Sequence, residues 1–287
     1  MKILLTGATG FLGSHLLRAL VSERYRVTVL KRSTSSLHRI ADVVSQIHMF
    51  NVDENSVDDV FSNSPFDVVI HCATSYGRRG RQAKSVLEGN LLFPITLLDA
   101  AIANQCPYFI NTDTFFCKQL PARLIHHEYL YMPDYTLSKY QFKEWGKLRA
   151  SEGSITFINL QLEHVYGPDD SSGKFIPWLE EQFRNKSKSV ALTDGIQLRD
   201  FVYVKDVVKV YLRVLSQLKS FDGYQSFEVG TGEAIPLRTF VENMKEKMGA
   251  LTELHFGEIP RCKQEIMYSA ASSSSPYLVG DSDEGEK

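Results

Sequence analysis

The chain has 287 residues, 43% hydrophobic and 23% charged, with a formal net charge of −2. It is long enough for a sizeable core in one large domain or two coupled ones, and its charge balance gives no basis for a nucleic-acid or anionic-membrane partner. Scattered cysteines without a CxxC pair, a start lacking a leader pattern and no apolar run approaching the ~18 residues of a membrane span predict reduced thiols, no metal site and a cytoplasmic setting.

Strand-like apolar runs alternate with helical stretches through the first half. Residues 3–6 read as a buried strand and 12–22 as the helix after it; 26–30 form a second strand, followed by a Ser-rich loop and a short helix near 38–44. Strands continue at 46–50, 67–71, 108–111 and 156–160, with helices at 57–63, 83–104 and 135–152 between them. This alternation predicts parallel strands with crossover helices, an α/β doubly wound sheet of the Rossmann type. After Gly167-Pro168 the rhythm becomes irregular, with helices at 175–184, 204–218 and 237–248 and short strands at 190–192 and 227–229. A smaller, partly interleaved C-terminal domain is expected. The predicted division is a dinucleotide-binding domain over 1–165 with a return segment near 200–230, and a substrate domain from 166–199 and 231–270. Residues 271–287, small, polar and finally acidic, are expected to be a disordered tail.

Between the first strand and the first helix lies Gly7-Ala-Thr-Gly10-Phe11-Leu12-Gly13. The first glycine permits the tight turn, the second lets backbone approach a pyrophosphate, and the third lets the helix pack on the strand. The helix N-terminus attracts the phosphates. In that context the loop, Phe11 and Leu12 included, is expected to bind a dinucleotide. The second strand ends in Lys31-Arg32-Ser33 rather than in the acidic residue that would hold a ribose 2′-hydroxyl. A guanidinium suits a 2′-phosphate, and hydrogen bonds of about 1.5–3 kcal/mol to a charged group give roughly a ten- to hundredfold preference. Arg32 favours NADPH, with NADH the alternative if Arg32 is a solvated loop residue.

Tyr135-Thr-Leu-Ser-Lys139 puts a phenol and an ammonium on one helical face, a turn apart. The ammonium favours the phenolate and is expected to draw the tyrosine pKa down toward the range useful for proton transfer. A surface Tyr/Lys pair would read the same way. Yet no other tyrosine here stands four residues before a lysine, and this one opens the helix after the fifth strand, beside the strand ends that form the cleft. Asn111-Thr112-Asp113-Thr114 supplies hydroxyls on the same rim.

These motifs are joined in order by Asn90-Leu-Leu-Phe-Pro-Ile-Thr-Leu-Leu-Asp-Ala, Val165-Tyr-Gly-Pro168, Asp194-Gly-Ile-Gln-Leu-Arg199-Asp-Phe-Val-Tyr-Val-Lys-Asp206 and Glu228-Val-Gly-Thr-Gly-Glu233. Together they resemble the extended short-chain dehydrogenase/reductases that modify nucleotide sugars, from Met1 to about Ser269. The resemblance implies Tyr135 as proton donor or acceptor at the sugar oxygen and Lys139 as holder of the nicotinamide ribose. It implies Thr112 as the hydroxyl on the reacting oxygen, with Thr114 the alternative. Ala73 and Asn90 would lie along the cofactor and Val52 near the adenine. Arg199 would bind the sugar-nucleotide diphosphate, unless Asp200 or Asp206 holds it. His164 stands where many relatives carry asparagine and is expected to face nicotinamide or sugar, or else to be a packed, hydrogen-bonded histidine. Tyr76, Arg78, Thr114 and Phe175 are further substrate candidates. His126, His127 and Glu163, without a metal-site pattern, read as structural. The helices at 83–104 and 135–152 resemble the family's dimer-forming pair, so a homodimer is expected.

Dehydratases of this family resemble one another in a Thr-Asp-Glu run whose glutamate removes a proton beside the ketone. Here the run is Thr112-Asp113-Thr114, and a threonine cannot be that base at neutral pH. The cysteine of the epimerase-reductase that makes a fucose nucleotide is also absent. What remains is hydride and proton transfer alone, in a 4-ketoreductase or in a 4-epimerase that recycles NAD; Arg32 leans toward consumed NADPH. Thr74-Ser-Tyr76-Gly-Arg78, Leu160-Gln-Leu-Glu-His164 and Glu265-Ile-Met-Tyr-Ser269 resemble the CDP-paratose and CDP-abequose synthase group. That group reduces a CDP-3,6-dideoxy-4-hexulose for bacterial O-antigen, so a CDP-sugar is the favoured substrate. A non-catalytic dinucleotide-binding sensor is the alternative of another class, ranked last because Tyr135 and Lys139 are both present. The chain departs from the group at Arg261-Cys262-Lys263 and in its serine-rich, acidic end.

Overall fold

The computed structural model describes residues 1–62, 65–77, 82–118, 120 and 132–280. Its centre is a seven-stranded parallel sheet in the order β11-β6-β5-β4-β1-β2-β3. The strands are β1 (Lys2–Thr6), β2 (Arg26–Lys31), β3 (His48–Asn51), β4 (Val68–His71), β5 (Tyr108–Thr114), β6 (Thr156–Leu162) and β11 (Tyr224–Val229). Successive strand residues alternate between two cores. Ile3, Leu5, Ile110 and Ile158 face α1 (Phe11–Ser22) and α7 (Val204–Ser216), where Leu16, Leu17, Val207 and Tyr211 close the layer. Leu4, Val69, Phe109 and Phe157 face α4 (Phe93–Ala103) and α5 (Pro133–Ser151), against Leu97, Leu98 and Phe142. Each fully buried leucine or phenylalanine is worth about 1.5–3 kcal/mol, so both faces commit the strands to the interior. Gly146 sets α5 tight on the sheet, since a Cβ there would lie 2.2 Å from the Phe157 ring.

The order of strands reverses between β1 and β4, which opens a cleft over their carboxyl ends. A smaller lobe borders it. There α6 (Phe175–Arg184), β8 (Ser189–Leu192), β13 (Glu253–Phe256) and α8 (Leu237–Lys247) enclose a core of Leu179, Phe183, Val190, Leu192 and Val241. Short ladders complete the seam: β7 (His164–Tyr166) pairs with β10 (Phe201–Tyr203), and β9 (Leu198–Arg199) lies between β12 (Ile235–Pro236) and β14 (Tyr268–Ser269). These ladders have two or three residues, too few for an alternation to register in sequence.

Three of the predicted segments change. The predicted helix at 38–44 is two 3₁₀ turns, His38–Ile40 and Val44–Gln46. The Arg39 carbonyl that would continue an α-helix is taken by the Arg18 guanidinium, which also binds Asp42. The predicted long helix is α3 (Ala83–Leu87), a π turn at Glu88–Leu92 and then α4. Pro94 has no amide to give the Asn90 carbonyl, and a π turn absorbs that mismatch. Third, residues 271–280 are packed, not disordered. Tyr277 is 2% exposed, its ring meets Phe227 at 4.8 Å, its hydroxyl donates to Gln217 at 2.9 Å, and the Val279 amide reaches the Gly230 carbonyl. A buried aromatic outweighs the polar composition around it. The rest of the predicted tail lies outside the described residues.

The rod Ala83–Ala103, 21 residues at mean hydropathy 1.5, is long and apolar enough by those two measures to cross a bilayer, which corrects the expectation that no such run exists. Leu97, Leu98, Ala100 and Ala101 turn into the second core, while Leu87 and Leu92 remain exposed on the outer side.

Candidate active site

The turn after β1 is shaped for an anion. Gly7 has φ +74°, and a Cβ on it would lie 2.5 Å from the Ala73 amide nitrogen; one on Gly13 would lie 2.1 Å from the Gly7 carbonyl oxygen. The Gly10 amide donates to Gly7 at 2.9 Å, and α1 starts there with no side-chain cap and no acidic residue in its first turn. The first amides of a twelve-residue helix therefore face the cleft with their dipole unopposed. This cradle fits the pyrophosphate of a dinucleotide.

At the end of β2, Lys31 donates to Asn51 at 2.7 Å, and Asp53 is tied by the Ser33 hydroxyl and amide at 2.6 and 2.8 Å. Those bonds hold the Asp53 carboxyl below its usual range. Arg32 is exposed on the same rim. Arg39 and Ser35, which sequence reasoning did not single out, also line this end of the cleft. Arg39 reaches it from a 3₁₀ turn, held by the Asp169 and Thr9 carbonyls at 2.9 and 3.4 Å. No motif signals it, because its place depends on the chain 130 residues further on.

One cleft of about 1400 Å³ gathers every predicted site residue within the described part except Asn90. Arg78, His126 and His127 lie outside the described residues. Asn90 is 1% exposed, with its amide committed to the protein. Its Oδ1 accepts from the Ser75 amide at 2.7 Å and the Thr74 hydroxyl at 3.2 Å, and its Nδ2 donates to Ser75 O and Ser138 Oγ at 2.8 and 3.1 Å. That saturates the amide. Asn90 is therefore corrected from a cofactor contact to a stitch between the 74–75 loop and α5, where Ser138 in turn bonds the Tyr135 carbonyl at 2.9 Å.

Tyr135 and Lys139 both stand at the N-terminal end of α5, 6% and 3% exposed. The Tyr76 ring lies 4.9 Å from that of Tyr135, and Phe116 meets Tyr135 edge-on at 6.1 Å. Lys139 donates to the Thr112 carbonyl at 2.5 Å. Burial pushes the Tyr135 phenol well above its ordinary range, the neighbouring Tyr76 adds to the rise, and a hydrogen bond from Thr114 opposes it. Burial likewise lowers the Lys139 ammonium, with Asp113 opposing. The expected pull of lysine on the tyrosine is thus overridden by desolvation, and the phenol stands protonated at neutral pH.

The two threonines divide differently from the expected order. The Thr112 hydroxyl is engaged with Tyr211 at 2.6 Å and with the Cys72 sulfur at 3.2 Å. Thr114 is the one that bonds Tyr135. Asp113 turns to the other face of β5, where Asn159 Nδ2 donates to it at 3.0 Å and the Cys117 thiol at 3.5 Å.

On the far wall the His164 ring lies against that of Phe115, tilted, at 4.2 Å. Burial, with Arg199 and Lys174 nearby, lowers its pKa to about 3, and its buried Nδ1 has no hydrogen-bond partner among the described residues. It is a neutral imidazole with an open ring nitrogen. Arg199, 6% exposed, pairs with Glu265 at 3.4 Å rather than with Asp200 or Asp206. Asp200 instead accepts from Thr231, Gly232 and Ala271. Phe175 and Trp178 enter the cleft from α6, and Lys174 lies between the Phe11 and Tyr76 rings at 5.3 and 5.5 Å. Among the described residues no group of three His, Cys, Asp or Glu side chains is assembled for a metal ion.

The family model for the NAD dependent epimerase/dehydratase family matches residues 3–230. The chain is 33% identical over 282 residues to a CDP-abequose synthase of Salmonella typhimurium, covering 97% of this chain and 92% of the relative. It is 34% identical to that of Salmonella muenchen, at 95% and 89% coverage. In structure it is similar to the UDP-glucose 4-epimerase of Thermotoga maritima solved with UDP-glucose, with a TM-score of 0.80, 22% identity and coverage of 95% and 90%. A variant UDP-glucuronic acid 4-epimerase of Bacillus cereus gives a TM-score of 0.81 at 21% identity, with 96% and 91% covered. The glycine cradle, the Tyr135/Lys139 pair and the family match over most of the length converge: the chain belongs to the NAD dependent epimerase/dehydratase family, the extended short-chain dehydrogenase/reductases, and is an oxidoreductase-type enzyme.

Proposed function

We propose that the chain reduces the C4 ketone of a nucleotide-activated deoxy-4-hexulose with NADPH, with CDP-3,6-dideoxy-4-hexulose the favoured substrate and an abequose- or paratose-type sugar for O-antigen the product. The observation that carries the reaction type is the Tyr135 environment: a protonated phenol with a threonine hydroxyl on it, while Asp113, the carboxylate that acts on the phenol, is taken up by the Asn159 amide and the Cys117 thiol. The substrate class is supported by the likeness to CDP-abequose synthases along nearly the whole of both chains.

Bound NADPH would supply a hydride to the ketone carbon. The Gly7–Gly13 cradle and the α1 amides hold its pyrophosphate, and Arg32, Arg39 and Ser35 hold its 2′-phosphate. Tyr135 donates its proton to the oxygen as negative charge grows there, and Thr114 steadies the phenol with a hydrogen bond that strengthens in that transition state. Lys139 carries positive charge beneath the phenol and stabilises the phenolate left behind. Arg199 exchanges Glu265 for the diphosphate, which suits its fork of donors. Neutral His164 offers Nδ1 to the sugar or the nicotinamide. Leu87, Leu92, Trp145 and Leu148, all more than a third exposed on the α3–α5 face, pack against a second copy in a cytoplasmic homodimer.

A second reading, a 4-epimerase that retains NAD, has the fold of the solved 4-epimerases in its favour. The deciding assay offers CDP-, dTDP-, UDP- and GDP-4-keto-deoxysugars with NADPH and follows the products by mass spectrometry and NMR. Reduction predicts one NADPH consumed per product. Interconversion of sugar nucleotides without net loss of NADPH would instead establish the epimerase.

A further inference from the structure

We propose that Glu163 is a positioning residue whose buried carboxylate holds the substrate-side floor in register with the hydride-transfer side of the cleft. Sequence reading sets Glu163 aside as structural, and the chemistry above leaves it unused. Its side chain is wholly buried between β6 and β7. Oε1 accepts the Lys118 ammonium, and Oε2 accepts the Ser269 hydroxyl at 2.5 Å. The two partners come from different segments, the turn after β5 and the strand β14.

Lys118 follows the 3₁₀ turn Phe115–Cys117 that leaves β5 directly after Thr114. In that turn Phe115 packs on His164, and Phe116 meets Tyr135. The same ammonium donates to Glu228 at 2.8 Å and to the Ala270 carbonyl at 2.7 Å, so three acceptors take its three protons. Ser269 sits in β14 directly opposite Arg199 of β9, and Glu265, the ion-pair partner of Arg199, lies just before that strand. One carboxylate thus joins the turn that touches both Tyr135 and His164 to the ladder that carries Arg199.

Burial pushes the Glu163 carboxyl up, and Lys118 and Ser269 oppose that rise. A buried ion pair kept for stability alone is replaceable by apolar packing, whereas this one is fully satisfied and bridges segments 45 and 106 residues away. Registry between walls is the property that apolar packing would not supply.

The inference rests on the proposed placement of a nucleoside diphosphate at Arg199, and its test uses binding, which needs no turnover. CDP, UDP and dTDP are titrated by calorimetry into the NADPH-loaded protein, and the tightest is carried through the variants. Ser269→Ala removes one hydrogen bond and leaves the ion pair. It should weaken nucleoside diphosphate binding about tenfold while NADPH affinity stays within about twofold. Ser269→Thr, which keeps the hydroxyl, should restore it. Ser269→Ala should add less in a Glu163→Gln background than alone, because both act through one carboxyl group. Diphosphate binding that ignores Ser269, or NADPH affinity that falls in parallel, overturns the positioning role. Failure of the unmodified protein to bind any of the three overturns the nucleotide-sugar reading, and this inference with it.

Discussion

On the dinucleotide side of the cleft, β1, the glycine turn and α1 follow one another in the chain, and the turn closes on itself through the Gly10 amide and the Gly7 carbonyl. On the substrate side, the two-residue strand β9 is held between β12 and β14, and the acids behind it reach across 71 residues from Asp200 to Ala271 and 106 from Glu163 to Ser269. The first region buys its shape from local backbone geometry and broad apolar packing. The second depends on a few buried polar groups, each closing a long loop of chain. Because loop closure is entropically unfavourable and an unsatisfied buried charge more so, the second region should be the easier one to loosen without unfolding the first.

Tyr135→Phe lies where the two regions meet and should have the largest effect. It should lower kcat about 10³-fold while NADPH and CDP affinities stay within about twofold, measured by single-turnover kinetics and calorimetry. Dinucleotide affinity falling along with kcat would mean that the phenol holds the cofactor side together, and the separation of the two regions would be wrong.

Tyr277→Ala probes the substrate side at its anchor. Loss of a buried aromatic that packs on Phe227 and bonds Gln217 should cost about 3–4 kcal/mol. Hydrogen exchange should then show residues 264–280 opening early while β1 and α1 keep their protection. Uniform loss of protection would show one cooperative unit where two stabilities are expected.

The same division explains what sequence can and cannot display. The short apolar runs of β1, β4 and β5, their regular alternation with helical stretches and the glycine spacing are local signals, so the doubly wound sheet is legible from the chain alone, as is the Tyr135/Lys139 face. Arg39, Lys118 and Ser269 have no such signal, because each matters through a partner far away in sequence. Tyr277 illustrates the opposite failure, as a single aromatic among serines carries the packing that composition denies. The motif headed by Asn90 points to the cofactor, but the Asn90 amide, set in the π turn before Pro94, turns inward to Ser75 and Ser138.

Two smaller effects sharpen the dinucleotide side. Thr114→Val should slow turnover about ten- to hundredfold by removing the hydroxyl on Tyr135, whereas Thr112→Val should chiefly cost about 1–2 kcal/mol of stability, by leaving the buried Tyr211 hydroxyl short of its partner. Equal kinetic losses would return Thr112 to the reacting oxygen. Arg32→Ala should reduce the preference for NADPH over NADH about tenfold, read from the ratio of kcat/KM values. An unchanged ratio would move the 2′-phosphate from Arg32 to Arg39 and Ser35.

The smallest effect is a pH dependence at the seam. His164 titrates near 3 in the folded protein, because burial and the nearby cations Arg199 and Lys174 disfavour its charged form. In the unfolded chain it takes a proton near pH 6.5. Above about pH 6.5 both states are neutral and His164 adds no pH dependence; below it the unfolded state binds the extra proton, so stability falls as pH falls until the folded group titrates near 3. Between about pH 6.5 and about pH 5.5 this amounts to roughly 1 kcal/mol. His164→Asn should remove that increment from the urea-derived stability difference between those two pH values. Buried His71, lowered in the same direction by desolvation, contributes equally to both proteins and cancels. An unchanged difference would mean that His164 accepts a proton in the folded state despite the burial and the nearby Arg199 and Lys174.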